Sequence, residues 1–173
     1  MRNTTARIAD EIDRITAAVG RIATWCSLYV VAAEFAVVVF RYALGLGSIR
    51  LQESVLYGHA GLFMLAAAWT LQTDGHVRVD IFYARGTARA RATVNLLGAV
   101  VFLLPFAAVL FALTLPYVER SWRIFESSPQ PSGLSFVYLL KTVILVFAAL
   151  IGLQGVAQAI RAALILSARQ QPH

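Results

Sequence analysis

Glu34 is the residue whose chemistry stands out first. It sits inside an apolar run from Ile22 to Leu44, roughly 15–18 Å from either end at helical rise, and a carboxylate at that depth in a bilayer is costly unless paired or protonated. It can serve as a proton or ion site, or as one half of a structural pair with a basic group on another helix or subunit; the structural pair is the expectation. Lys141, the one lysine of the chain, enters about 9 Å below the outer end of the last apolar run, and its flexible stem can snorkel outward or reach down toward Glu34. Of three histidines only His59 lies within an apolar run; His76 falls in a connection and His173 at the terminus. Haem held between helices needs two such ligands, so His59 is read as a hydrogen-bonded packing residue. A single cysteine, Cys26, excludes an intrachain disulfide and the membrane thiol oxidants that need paired cysteines; it is read as a buried structural thiol. No HExxH, paired CxxC, GxSxG or phosphate-binding glycine loop occurs. These residues make no catalytic constellation, and no cofactor is expected.

The elements that must position them are membrane helices. Of 173 residues, 59% are hydrophobic and only 14% charged, with a mean hydropathy of +0.70, far more apolar than a soluble domain. Charge-free runs cover Ser54 to Thr73, Ala92 to Val118 and Thr142 to Ile160; with the run from Ile22 to Leu44, interrupted by Glu34 and Arg41, they predict an all-α membrane protein with four spans. The length leaves no room for a large channel or a full carrier. In the third run Pro105 removes a backbone hydrogen bond, which predicts a kink. The domain layout expected is an amphipathic helix over 1–21, a membrane domain over 22–166 with spans at about 22–44, 54–73, 92–118 and 135–160, and a tail over 167–173.

Fourteen arginines and Lys141 face nine acids, for a net charge of +6. The arginines are scattered between apolar runs, so they read as topology signals and not as a nucleic-acid surface. Arg2, Arg7, Arg14 and Arg21 precede the first span, Arg78, Arg85, Arg89 and Arg91 link the second to the third, and Arg161 and Arg169 follow the fourth. The opposite side holds Arg41, Arg50, Arg120, Arg123 and Lys141. Ten against five places both termini in the cytoplasm. The polar N-terminal residues include Asp10, Glu11 and Asp13, which a cleavable signal peptide does not carry.

Ile8, Ile12, Ile15, Val19 and Ile22 recur at steps of four, three, four and three, one face of a helix. That helix is expected along the cytoplasmic surface of the bilayer, with Ile12 and Ile15 held against lipid or a protein partner and the acids turned away. In the fourth span Ala148, Gly152, Gly155, Ala159 and Ala163 form a small-residue stripe, a surface for close helix approach, whether to this chain or another.

Three stretches carry a family resemblance: Gln52 to Tyr57 (QESVLY), Gly75 to Asp80 (GHVRVD), and GLSFVYLLK from Gly133 with LQG at Leu153 to Gly155. Between Ile22 and Arg161 the chain resembles the small membrane (DctQ-like) subunit of tripartite ATP-independent periplasmic (TRAP) transporters. The resemblance implies a non-catalytic subunit in a prokaryotic cytoplasmic (inner) membrane. It packs on a large membrane subunit that imports a carboxylate-bearing solute with sodium ions, the solute being delivered by a periplasmic binding protein. Sodium coupling then belongs to the large subunit. Glu53, His76, Arg78 and Asp80, which lie in the shared stretches, join Glu34, His59, Lys141, Gly152, Gly155, Ile12 and Ile15 as structural or interface candidates. Asp80 is expected to pair with Arg78 or with arginines at the start of the next helix. Where family members often carry proline early in the fourth span, this chain has Lys141, Thr142 and Val143. The competing reading is a stand-alone four-helix proton-coupled multidrug exporter using Glu34. The N-terminal helix and the loop from Glu119 to Leu134 would be superfluous in such a protein.

Overall fold

The computed structural model describes residues 2–76, 83 and 86–168. These residues form helices and connections, with no strand among them. Helix α1 runs unbroken from Arg2–Ala43, α2 covers Ile49–Gln72, α3 Ala88–Leu97, a π-helical segment Gly98–Leu103, α4 Leu104–Arg123, and α5 Val137–Ser167. Four stretches, Thr4–Ala43, Ile49–Gln72, Ala88–Arg123 and Val137–Ser167, are long and apolar enough to cross a membrane. The chain is a multi-pass membrane protein.

Local chemistry sets the helix ends. Gly45 adopts φ +67°, a conformation glycine takes at little cost, and the Leu46 N–H donates back to the Phe40 carbonyl at 2.8 Å to close α1. Ser48 and Thr87 cap α2 and α3 by accepting from the Leu51 and Ala90 N–H groups, satisfying donors that the first helical turn leaves open. Pro105, where a kink is expected, is preceded by a wider turn. It has no N–H, and its ring crowds the carbonyl four residues earlier; the backbone just before it takes the π register over Gly98–Leu103, which moves that hydrogen-bonding pattern out of the way. A second proline, Pro116, lies within α4.

Helix α5 is the centre of the assembly: α1, α2, α3, the π segment and α4 all pack on it. α1 and α2 form an antiparallel hairpin on one side, and the rod α3–π–α4 lies against α5 on the other. Small residues permit the approach. A Cβ on Gly20 would lie 2.5 Å from the Trp69 Cβ, and one on Gly58 2.7 Å from the Tyr29 Cδ1. The small-residue stripe of α5 finds its partner within this chain. Gly155 is buried against Leu103 and Leu104, and Gly152 faces Ala107. Ala163, however, is exposed.

The amphipathic N-terminal segment is helical as expected, but it is the first half of α1 and not a separate element. It docks on α5 through Ala9 and Ile12, which cluster with Ala157. The buried face of α1 reads Ala9, Ile12, Thr16, Gly20 and Ala23. Ile12 is 8% exposed, whereas Ile15 is 51% exposed, and Ile8 and Ile22 also point outward. The isoleucine stripe is therefore divided between two faces, because close contact with α5 and α2 selects the row of small residues.

Candidate functional site

The polar side chains gather at the two ends of the assembly. At the end that carries both described chain ends, Arg161 of α5 is bonded to Asp13 of α1 and lies 3.4 Å from Asp10. Gln154, 2% exposed in the middle of α5, donates its amide to the Asp13 Oδ1 at 3.1 Å. Asp13 was expected to face away from the apolar stripe. It lies instead one position beyond Ile12 on the docking face, where its carboxylate receives two donors from α5. Arg89 of α3 adds a bond to the Leu166 carbonyl at 3.2 Å. Beside this cluster opens a cavity of about 390 Å³ lined by Gln72, Arg91, Asn95, Gln158 and Arg161 among others.

At the opposite end the connection from α4 to α5 is laced to the helices. Glu53 of α2 accepts from the Ser128 hydroxyl and from the Leu134 N–H, the latter at 2.6 Å. Arg50 donates to the Ser132 carbonyl at 3.2 Å. Gly133 is pressed into this corner: a Cβ there would stand 2.7 Å from the Glu53 Oε2. Lys141 donates to Glu126 at 2.5 Å and lies 4.0 Å from the centre of the Tyr117 ring, a cation over an electron-rich face. The hydrogen bond from Lys141 holds the Glu126 carboxylate below the usual carboxylate range. The Trp122 indole donates to the Thr142 hydroxyl at 2.8 Å, and Trp122, Phe125 and Phe136 pack edge-on around Tyr138.

These contacts decide between the alternatives open for Lys141. Its stem turns outward to Glu126 in the connection and not down toward Glu34. Glu34 itself is exposed on the outside of α1 and makes no ion pair or side-chain hydrogen bond among the described residues, so the pair expected for it is not formed within that part of the chain. His59 is likewise exposed on α2 rather than packed. Cys26 is a free thiol, half-buried near Gly61. His76 lies four residues past the end of α2 and lines an apolar groove of about 500 Å³ with Leu103, Phe106 and Ile151, while Arg78 and Asp80 lie outside the described residues. Among the described residues no group of three or more His, Cys, Asp or Glu side chains converges as a metal site would require.

The residues the sequence reading passed over are Asp13, Gln154 and Arg161 at one end, and Glu126, Ser128 and Gly133 at the other. One signal for the first set was present: Gln154 and Gln158 are the polar interruptions of an otherwise apolar run, and a buried amide needs a partner. What both clusters do chemically is hold helices and a connection in register.

A family model described as "Tripartite ATP-independent periplasmic transporters, DctQ component" matches residues 16–164. No curated protein and no solved structure gives a significant match. The match begins within the docked half of α1 and ends within the last turns of α5, taking in α2, the α3–π–α4 rod and both polar clusters except for Asp10, Asp13 and Leu166. The chain belongs to the DctQ family of TRAP transporter components.

Proposed function

We propose that this chain is the non-catalytic small permease subunit of its transporter, a scaffold for a large sodium-coupled membrane subunit that imports a carboxylate-bearing solute delivered by a periplasmic binding protein. The observation that carries the reading is the family match over residues 16–164. The way the charged groups are used supports it: Asp13, Arg161, Glu53, Glu126 and Lys141 are engaged with one another or with the connections, as in an anchoring element. A conduit for a charged acid would instead present such groups along a continuous inner path.

In this reading the chain lies in the cytoplasmic (inner) membrane of a prokaryote with both termini in the cytoplasm, in keeping with the ten-to-five division of basic residues. The end held by Asp13 and Arg161 is then cytoplasmic, and the laced connection around Glu53 and Glu126 is periplasmic, on the side where the binding protein delivers its cargo. Interface roles for Glu34, His59, His76, Arg78 and Asp80 belong to the same proposal.

The test is reconstitution. Proteoliposomes containing this chain and the large subunit should take up solute with sodium when the binding protein is added, and omission of this chain should abolish uptake. Uptake by the large subunit alone at the same rate would remove the scaffold role. A purified dimer of this chain alone that exchanged protons for cationic drugs would establish the exporter reading instead.

A further inference from the structure

We infer that the outward face of α1 around Glu34 is the surface on which a second membrane protein docks, and that this partner presents a basic side chain to Glu34 at mid-membrane depth. The inference rests on the scaffold reading above, since it assigns the large membrane subunit to that face.

Three observations carry it. Glu34 is exposed and has no ion pair or side-chain hydrogen bond among the described residues, yet it lies near the centre of the apolar run from Ile22 to Leu44, within a stretch long and apolar enough to cross a membrane. Ionisable residues within spans face protein or water and pair with one another; a carboxylate turned outward from its own chain therefore points to a partner. Around it the same face is broad and apolar: Leu28, Val31, Phe35 and Val38 follow helical spacing and are exposed, Phe35 by 70%. Ser27 turns its hydroxyl back to the Thr24 carbonyl at 2.7 Å, and Arg41, on the same face, lies near the end of α1, so Glu34 is the charged group that this face presents away from the helix end.

Charge complementarity decides which partner. In a two-fold dimer of this chain, the same surface meets itself, and Glu34 would be set against Glu34. The nearest basic residue on α1, Arg41, lies seven residues away, roughly 10 Å along the axis, too far to neutralise that encounter. Lys141 is already bound to Glu126, and Arg161 to Asp13. A lipid headgroup does not reach the middle of the hydrocarbon core. A different chain with an arginine or lysine in a span satisfies the carboxylate, and the apolar side chains on either side supply the close packing that such helix pairs need.

The test is co-purification of the large membrane subunit with tagged variants of this chain from the assembled complex. Glu34→Leu should lower the recovered large subunit about thirtyfold or more, because the partner's cation is left without its counter-ion, and Glu34→Gln should lower it less. The amount of this chain in the membrane and its helical circular dichroism should stay unchanged in both. A photo-crosslinking amino acid at Phe35 should yield an adduct with the large subunit. Recovery with Glu34→Leu at the wild-type level would overturn the assignment while leaving the scaffold reading intact, as would a Phe35 adduct with a second copy of this chain. Failure of the wild-type chain to recover the large subunit at all would overturn both.

Discussion

Arg161 and Asp13, 148 residues apart in the chain, are bonded to one another across the contact between α5 and α1. The pair closes the assembly from its first helix to its last, and Gln154 shares the same carboxylate. Because Asp13 is largely buried while Arg161 keeps two-fifths of its side-chain surface, the aspartate is the member whose loss leaves donors stranded.

Asp13→Asn should therefore loosen the docking of α1, by about 1–2 kcal/mol given the partial exposure of the arginine. Asp10→Asn, whose carboxylate is more exposed and 3.4 Å from Arg161, should have a smaller effect. Thermal unfolding of the detergent-solubilised subunit checks this: at about 2–4 °C per kcal/mol, Asp13→Asn should lower the midpoint by several degrees. Equal shifts for the two variants would show that Asp13 has no special place.

The two isoleucines of the N-terminal stripe should behave differently. Ile12→Asp puts a carboxylate against Ala9 and Ala157 and forfeits up to about 1.5–3 kcal/mol of apolar burial besides. Ile15→Asp acts on a side chain that is half exposed. Cysteines placed singly at the two positions should label at different rates in detergent, position 15 fast and position 12 slow. Equal rates would mean that this half of α1 does not stay docked.

Glycines should be sensitive according to what faces them. Gly20→Ala drives a methyl group into the Trp69 side chain and should destabilise the α1–α2 hairpin by about 1–3 kcal/mol. Gly133→Ala should do the same to the connection at Glu53. Gly152→Ala, with ordinary contact at 3.4 Å from Ala107, and Gly47→Ala, with nothing within 4 Å, should be tolerated. Unfolding midpoints of the four variants give the comparison.

The contact between Glu126 and Lys141 carries a pH signature. The folded carboxylate is held low by its hydrogen bond from Lys141, so its contribution to stability is complete above the unfolded value of about 4.3 and is lost as pH falls through the lower folded value. The connection should hold unchanged from neutral pH down to about 5 and loosen in stronger acid. Trp122 fluorescence reports it, since that ring packs on Tyr138 and bonds to Thr142. Glu126→Gln should show a smaller acid transition than wild type.

The four spans were legible in the amino-acid sequence because runs near twenty apolar residues have few other stable fates: a backbone in lipid must bond to itself, and a helix does so within each run. Pro105 was read as the site of a kink from its missing N–H, whereas the π turn over Gly98–Leu103 appeared only in the folded chain. The phase of α1 was not legible. Isoleucines at 8, 12 and 15 and small residues at 9, 16, 20 and 23 both follow helical spacing, and only the close approach of α5 and of Trp69 selects the small row, turning Asp13 inward and Ile15 outward. The partner of Lys141 was equally open, since a flexible four-carbon stem reaches in either direction until the folded connection brings Glu126 beside it. For Glu34, the run of apolar neighbours declared a costly carboxylate, but its exposure on the outer face of α1 came from tertiary packing, because helix rotation about the bundle is set by which surfaces fit together.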